Sequence, residues 1–273
     1  HGQSRKAALN MPAFLGLDIG TTSTIGILID AAGKTLATAD RPSELVSRHA
    51  NWAEEDPDLW WSNCQALIPA LIKQAGIAAA DILAVGVTGM VPAMVLLDAE
   101  GKVLRPSIQQ NDARAMVEID EMRARFDSRR FFKLTGGSIN QQVVAPKFRW
   151  LEKHEPDVFK NIATVFGSYD YIAWKLTDVR SIEHNWALES GLMDLASGKF
   201  DAALVIEAGI RAEVLPPIRA SHAILGPVTA EAAAATGLAA GTPVVAGCAD
   251  HVASAYVAGA ARHFRVQRAE HAA

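Results

Sequence analysis

The sequence predicts an α/β fold built on a mixed sheet. Two observations carry the prediction. Strand-like apolar runs alternate with segments of helical period along the chain, and three short strand-like runs joined by tight turns open it. Residues 14–19 are apolar with few breaks and read as a strand, and Gly20-Thr21-Thr22 reads as a turn. Residues 23–30 form a second strand closed by Ala31-Ala32-Gly33, and 35–39 return as a third. The opening is therefore an antiparallel meander.

A helix is expected from Pro57, with Asp56 as N-cap and proline at the first helical position. Trp60, Cys64, Leu67 and Leu71 recur at helical spacing, and Gly76 stops the helix. Residues 82–87 read as a buried strand. Residues 93–97 and 103–104 read as a hairpin around Asp98-Ala99-Glu100-Gly101. The charged, periodic stretch 112–134 reads as helical. A strand at 163–166, a helix at 170–176 and an alanine-rich helix at 228–238 follow. Residues 243–246 form another buried strand, Gly247-Cys248-Ala249-Asp250 a tight exit from it, and 251–258 a helix. Residues 1–13 read as a leader without fixed structure, 14–260 as one lobe, and 261–273 as an unrelated basic tail.

Half of the 273 residues are hydrophobic (50%) and 21% are charged, enough for a sizeable core. The formal net charge of −4 argues against nucleic acid or an anionic membrane as partner. No run approaches the roughly 18 apolar residues of a membrane span. Cys64 and Cys248 form no CxxC and no metal-ligand spacing. They read as small buried residues in a reducing cytosol, which places the protein in the cytoplasm.

Four segments hold residues suited to chemistry. In Asp18-Ile19-Gly20-Thr21-Thr22-Ser23, a strand-end carboxylate precedes a turn that offers N–H groups and hydroxyls to a phosphate. Glycine there permits close approach, and Asp18 is suited to Mg²⁺. The plainer reading is a β-hairpin with an Asx-type turn. In Gly247-Cys248-Ala249-Asp250-His251, Asp250 reads as a helix N-cap or as an acceptor for a hydroxyl proton. His251 reads as a helix-start residue. In Asn111-Asp112-Ala113-Arg114, the acid and base are suited to a polyol, or form an internal ion pair at a solvated helix start. Trp52 with Glu54-Glu55-Asp56-Pro57 and Trp60-Trp61 reads chiefly as a helix anchored to its own core.

A strand ending in a small-residue turn with an aspartate occurs twice, at Asp18 and at Asp250. These segments, in this order, resemble the FGGY carbohydrate kinases. Asp18 to Thr22 matches the family opening Asp-x-Gly-Thr-Thr. Trp52, Glu54, Asp56, Pro57 and Trp60-Trp61 match a second segment. Leu97-Asp98, Gly101, Leu104-Arg105-Pro106 and Asn111 to Arg114 match a third, and Lys147 to Leu151, Ser168 to Thr177 and Gly241 to Val244 with Asp250 complete the set.

The resemblance implies an actin-like/ribonuclease H-like ATPase lobe with a mixed sheet and flanking helices. It implies ATP-dependent phosphorylation of a ketose or polyol with Mg²⁺, a sugar-binding module without turnover being the alternative. Asp250 is the implied catalytic base, and Asp18 with Asp250 would seat the metal. Gly20, Thr21, Thr22 and Ser23 join Asp18 at the ATP phosphates. Met90, Val91, Pro92, Asp112 and Arg114 are the implied sugar contacts. Xylulokinase-like members look most similar, with departures at the sugar pocket: those enzymes place Met-His after a Gly-Gln where this chain has Gly89-Met90-Val91-Pro92, and usually Trp where it has Gln110. Autoinducer-2 and polyol kinases share the Asp-Ala-Arg stretch. The family's carboxy-terminal nucleotide lobe is not matched, so an apolar surface open to self-association as a homodimer is expected.

Overall fold

The computed structural model describes residues 11–259. Its spine is a seven-stranded mixed sheet. Strands β1 (Ala13–Ile19), β2 (Ser23–Asp30) and β3 (Thr35–Pro42) form the expected antiparallel meander. On the other side of β1 lies β4 (Ile82–Gly89), paired parallel to it. Strands β5 (Ile224–Pro227) and β6 (Pro243–Val245) pair antiparallel with each other, and β6 runs parallel to β4. The short β7 (Cys248–Ala249) rejoins β4 in parallel at its end.

The helices are α1 (Pro57–Ala75), α2 (Met116–Arg125), α3 (Ser128–Thr135), α4 (Val144–His154) and α5 (Pro156–Asn161). They continue as α6 (Ser168–Thr177), α7 (His184–Glu189), α8 (Ala202–Ala208), α9 (Ala230–Thr236) and α10 (Asp250–Val257). Helix α1 starts and stops where its sequence directs. The Asp56 carboxylate accepts from the Asp58 N–H at 2.9 Å, and Gly76 closes the helix in the left-handed region at φ 66°. It buries Trp60, Cys64, Leu67, Ile68 and Leu71, each large apolar side chain contributing roughly 1.5–3 kcal/mol. Leu71 seats directly on β2 at Gly26, where a Cβ would lie 2.5 Å from Leu71 Cδ1.

The strand alternation sorts the sheet into two faces. Leu15, Leu17, Ile19, Leu28, Val85 and Val87 point into the core beneath the helices. Phe14, Gly16, Asp18, Ile25, Ile27, Gly86 and Thr88 alternate to the other face. There Phe14, Ile25 and Ile27 remain 37%, 40% and 37% exposed.

Three expectations need correction. The stretch 112–134 is not one helix. The chain becomes extended at Phe126, and Asp127 caps a new helix by accepting from the Arg130 N–H at 2.7 Å. The expected hairpin is a minor part of its surroundings: Val95–Leu97 pairs mainly with Thr164–Phe166, while Val103 adds a single bridge to Leu97. The first strand begins at Ala13, one residue inside the expected leader. Leader residues 1–10 and the tail 261–273 lie outside the described residues.

Candidate functional site

The two aspartates of the repeated pattern meet because their strands flank the same neighbour. Asp18 on β1 stands opposite Thr88 on β4, and Thr88 stands opposite Cys248 on β7. The Thr88 hydroxyl donates to the Cys248 carbonyl at 2.7 Å, which locks β7 to β4. One row further, Ile19, Gly89 and Ala249 are in register, and Asp250 opens α10 immediately beyond. The carboxyl ends of parallel strands are where open α/β sheets gather ligand sites.

Asp18 projects onto the open face. Its Oδ1 is buried and has no hydrogen-bond partner. Burial holds its carboxyl above the ordinary range, and the charge of Asp250 pushes it further the same way. An apolar hollow of about 290 Å³ runs from Asp18 past Ile25, Ile27 and Gly86 to Gly247. Gly247 is what turns the chain out of β6 and back beside β4. Its φ is +81°, and a Cβ there would fall 1.7 Å from the Val87 carbonyl oxygen. Its N–H donates to the Ser221 carbonyl at 3.0 Å.

Asp250 is the first residue of α10, and the cap position belongs to Ala249. The helix therefore starts one residue earlier than expected. His251 reaches across to α7: its Nε2 lies 3.0 Å from Glu189 Oε1 and its Nδ1 3.4 Å from Asp250 Oδ1. Glu189 in turn borders a cavity of about 210 Å³ with Phe131, Thr135, Ser138, Asn140 and Gln142. Burial raises the Glu189 carboxyl; His251 opposes the rise, and Asp250 and Glu183 add to it. Neither Glu189 nor this cavity was expected from the sequence, because no spacing ties residue 189 to residue 250.

The turn after β1 is closed by the Gly20 N–H, which donates to the Ser23 carbonyl at 3.1 Å. That donor is used within the turn, where Thr22 is exposed and Thr21 and Ser23 are half-buried. Met90 sits beside the turn. Its N–H donates to the Ile19 carbonyl at 3.1 Å, its carbonyl accepts from the Ser168 hydroxyl at 2.9 Å, and its sulfur lies 3.7 Å from the Thr21 hydroxyl. Met90, Val91 and Pro92 are all buried.

Asp112 and Arg114 are not at a solvated helix start. Asp112 is fully buried, and α2 begins only at Met116. Its Oδ1 accepts from the Arg114 N–H at 3.0 Å and from Nε at 2.8 Å. Its Oδ2 accepts from the Ala53 N–H at 2.6 Å and from Arg114 Nη2 at 2.7 Å. Arg114 Nη2 also bonds Glu54 at 2.7 Å, and Arg105 pairs with the same carboxylate. The guanidinium of Arg114 lies 3.8 Å from the Trp52 ring centroid and 5.0 Å from that of Trp150. Lys147, buried beside them, donates to the Gln109 carbonyl at 2.8 Å. Burial pulls its ammonium down to about 8; Asp112 opposes this and Arg114 adds to it. Arg114 Nη1 is buried without a partner.

The Trp segment serves the core. Trp60 is fully buried, and its Nε1 donates to Glu55 at 2.8 Å.

Residues 13–257 match the model of the FGGY family of carbohydrate kinases, N-terminal domain. The chain belongs to this family. It is 34% identical over 249 residues to the L-xylulose/3-keto-L-gulonate kinase of Escherichia coli, covering 90% of this chain and 50% of that protein. It is 29% identical over 249 residues to the xylulose kinase of Bacillus subtilis, covering 91% and 50%. The crystal structure of the xylulose kinase from Rhodospirillum rubrum superposes with a TM-score of 0.88 at 52% identity, covering 90% of this chain and 52% of that one. The expected actin-like lobe with a mixed sheet is thus the fold found. The chain spans about half the length of the relatives it matches. No helix among the described residues is long and apolar enough to cross a membrane.

Proposed function

We propose that this chain is the base-bearing lobe of a kinase that moves the γ-phosphoryl group of ATP onto a hydroxyl of a ketose or polyol. The convergence of Asp18 and Asp250 at the shared end of β1, β4 and β7, beside a cavity reached through Glu189, carries this reading. The sugar hydroxyl oxygen attacks the γ-phosphorus, the bond to the ADP oxygen breaks, and Asp250 accepts the hydroxyl proton. Thr21, Thr22 and Ser23 line the phosphates beyond the Gly20 turn.

The donor set fits Mg²⁺. Asp18 offers a buried oxygen with no other partner, with Asp250 as a second carboxylate. Among the described residues no three His, Cys, Asp or Glu side chains are gathered as a metal cage. Two carboxylates, with water and phosphate completing the shell, are what this ion ordinarily takes. Bound there, it neutralises phosphate charge.

Met90, Val91 and Pro92, all buried, support the sugar site from the core side. Asp112 and Arg114, their side chains fully buried and bonded to each other, brace it from behind. In the full-length protein a carboxy-terminal half supplies the adenosine pocket and covers the open sheet face. Left uncovered, that face favours a homodimer. A xylulose-like ketose is the favoured substrate, which places the enzyme in xylose metabolism. The free thiols of Cys64 and Cys248 suit the cytoplasm. A coupled ADP-release assay on the full-length protein with a panel of ketoses and polyols tests the reading. Sugar-dependent release from at least one member is expected, and sugar-independent ATP hydrolysis alone would refute it.

A further inference from the structure

We infer that Glu189 is a specificity-determining residue of the sugar site, accepting hydroxyls of a neutral ketose or polyol and turning away sugar acids. The inference rests on the reading of Asp250 as the base that faces a sugar.

Glu189 is the last residue of α7 and borders the cavity of about 210 Å³. Its side chain is 32% exposed, so it is open to a ligand yet partly withdrawn from water. Through His251 it is tied to Asp250, with contacts of 3.0 Å and 3.4 Å on the two ring nitrogens. A ligand in the cavity therefore lies one imidazole away from the proposed base. The His251 contact is to Oε1, which leaves Oε2 as the acceptor for a ligand. An ionised carboxylate accepts hydroxyl hydrogens with stronger bonds than a neutral group does.

The rest of the lining is neutral. Ser138, Asn140 and Gln142 supply hydroxyl and amide groups, and among the described residues no lysine, arginine or histidine lines the cavity. Asp250 and Glu183 act on Glu189 with the same sign of charge. An anionic sugar would meet like charges, and the neighbouring imidazole of His251 is already held between Glu189 and Asp250, which costs affinity and yields selectivity by repulsion.

Calorimetric titration of the 273-residue chain with xylitol, D-xylulose and D-gluconate tests this. Wild type should bind the neutral pair and not gluconate. Glu189→Gln should weaken the neutral pair by about tenfold or more and narrow the gap to gluconate, at an unchanged thermal unfolding midpoint. Glu189→Asp, which keeps the charge and shortens the reach, should restore exclusion of gluconate without restoring the neutral affinity. Unchanged neutral-sugar binding by Glu189→Gln would overturn the inference, as would equal wild-type affinity for gluconate or no binding of either neutral sugar. Turnover of Asp250→Asn in the full-length protein separates the two readings. If that variant turns over normally while Glu189→Gln weakens binding, only the base assignment fails. If it is dead while Glu189→Gln binds as wild type does, only the present inference fails.

Discussion

Replacing Asp112 with alanine should destabilise the lobe severely. The carboxylate accepts four hydrogen bonds, from the Ala53 and Arg114 backbone N–H groups and from Arg114 Nε and Nη2, at 2.6–3.0 Å. Removing it orphans two backbone donors and leaves the fully buried Arg114 guanidinium with Glu54 as its remaining acidic partner. An orphaned buried donor costs about 1–3 kcal/mol, and an unpaired buried charge about 3–5 kcal/mol. Glu54 still compensates part of the charge, so the expected loss is about 3–5 kcal/mol. At roughly 2–4 °C per kcal/mol for a domain of this size, the unfolding midpoint should fall by about 6–20 °C. Urea titration followed by circular dichroism gives the free energy, and calorimetry gives the midpoint. A double-mutant cycle with Arg114→Met should show coupling of about 1–3 kcal/mol. A loss below about 0.5 kcal/mol would refute the bracing role and return Asp112 to a solvated position.

Other outcomes follow from the same geometry. Gly247→Ala should cost at least about 2 kcal/mol in urea titration, because the new methyl meets the Val87 carbonyl at a positive φ; wild-type stability would contradict it. Burial pushes the Glu55 carboxyl up to about 7, with the Trp60 bond opposing. The folded state then holds this proton more tightly than the unfolded chain. Stability from this group is full below about pH 4.5 and is lost as pH rises through about 7. Glu55→Gln should flatten that fall, by on the order of 1–3 kcal/mol between pH 5 and 8, and an unchanged slope would count against it. The 273-residue chain alone should show no sugar-dependent ADP release and only weak ATP binding by calorimetry, since one lobe contacts one side of the nucleotide. Micromolar ATP affinity with sugar-dependent release would contradict this.

Much of the fold is written locally. The meander, α1 and its caps are legible because alternation, Asp56-Pro57 and Gly76 each act within a few residues. The break at Phe126 was hidden by charge periodicity that runs across it, although Asp127 is an ordinary cap signal. Asp18 and Asp250 were legible as a repeated strand-end pattern, and the sheet explains the repeat by placing both strands beside β4. The bracing of Arg114 was not legible. Glu54 and Trp150 come from distant segments, and their pairing leaves no periodic trace. Glu189 was missed for the same reason, since it is the packing of α7 against β7 that brings it to His251 at the start of α10.

The assignment of Asp250 is tested most directly by the turnover of Asp250→Asn in the full-length protein, with ADP release and sugar binding measured on the same preparation. The amide cannot take the hydroxyl proton. The account predicts a fall in kcat on the order of 10²–10⁴, with sugar affinity retained. Near-normal turnover of this variant would contradict it.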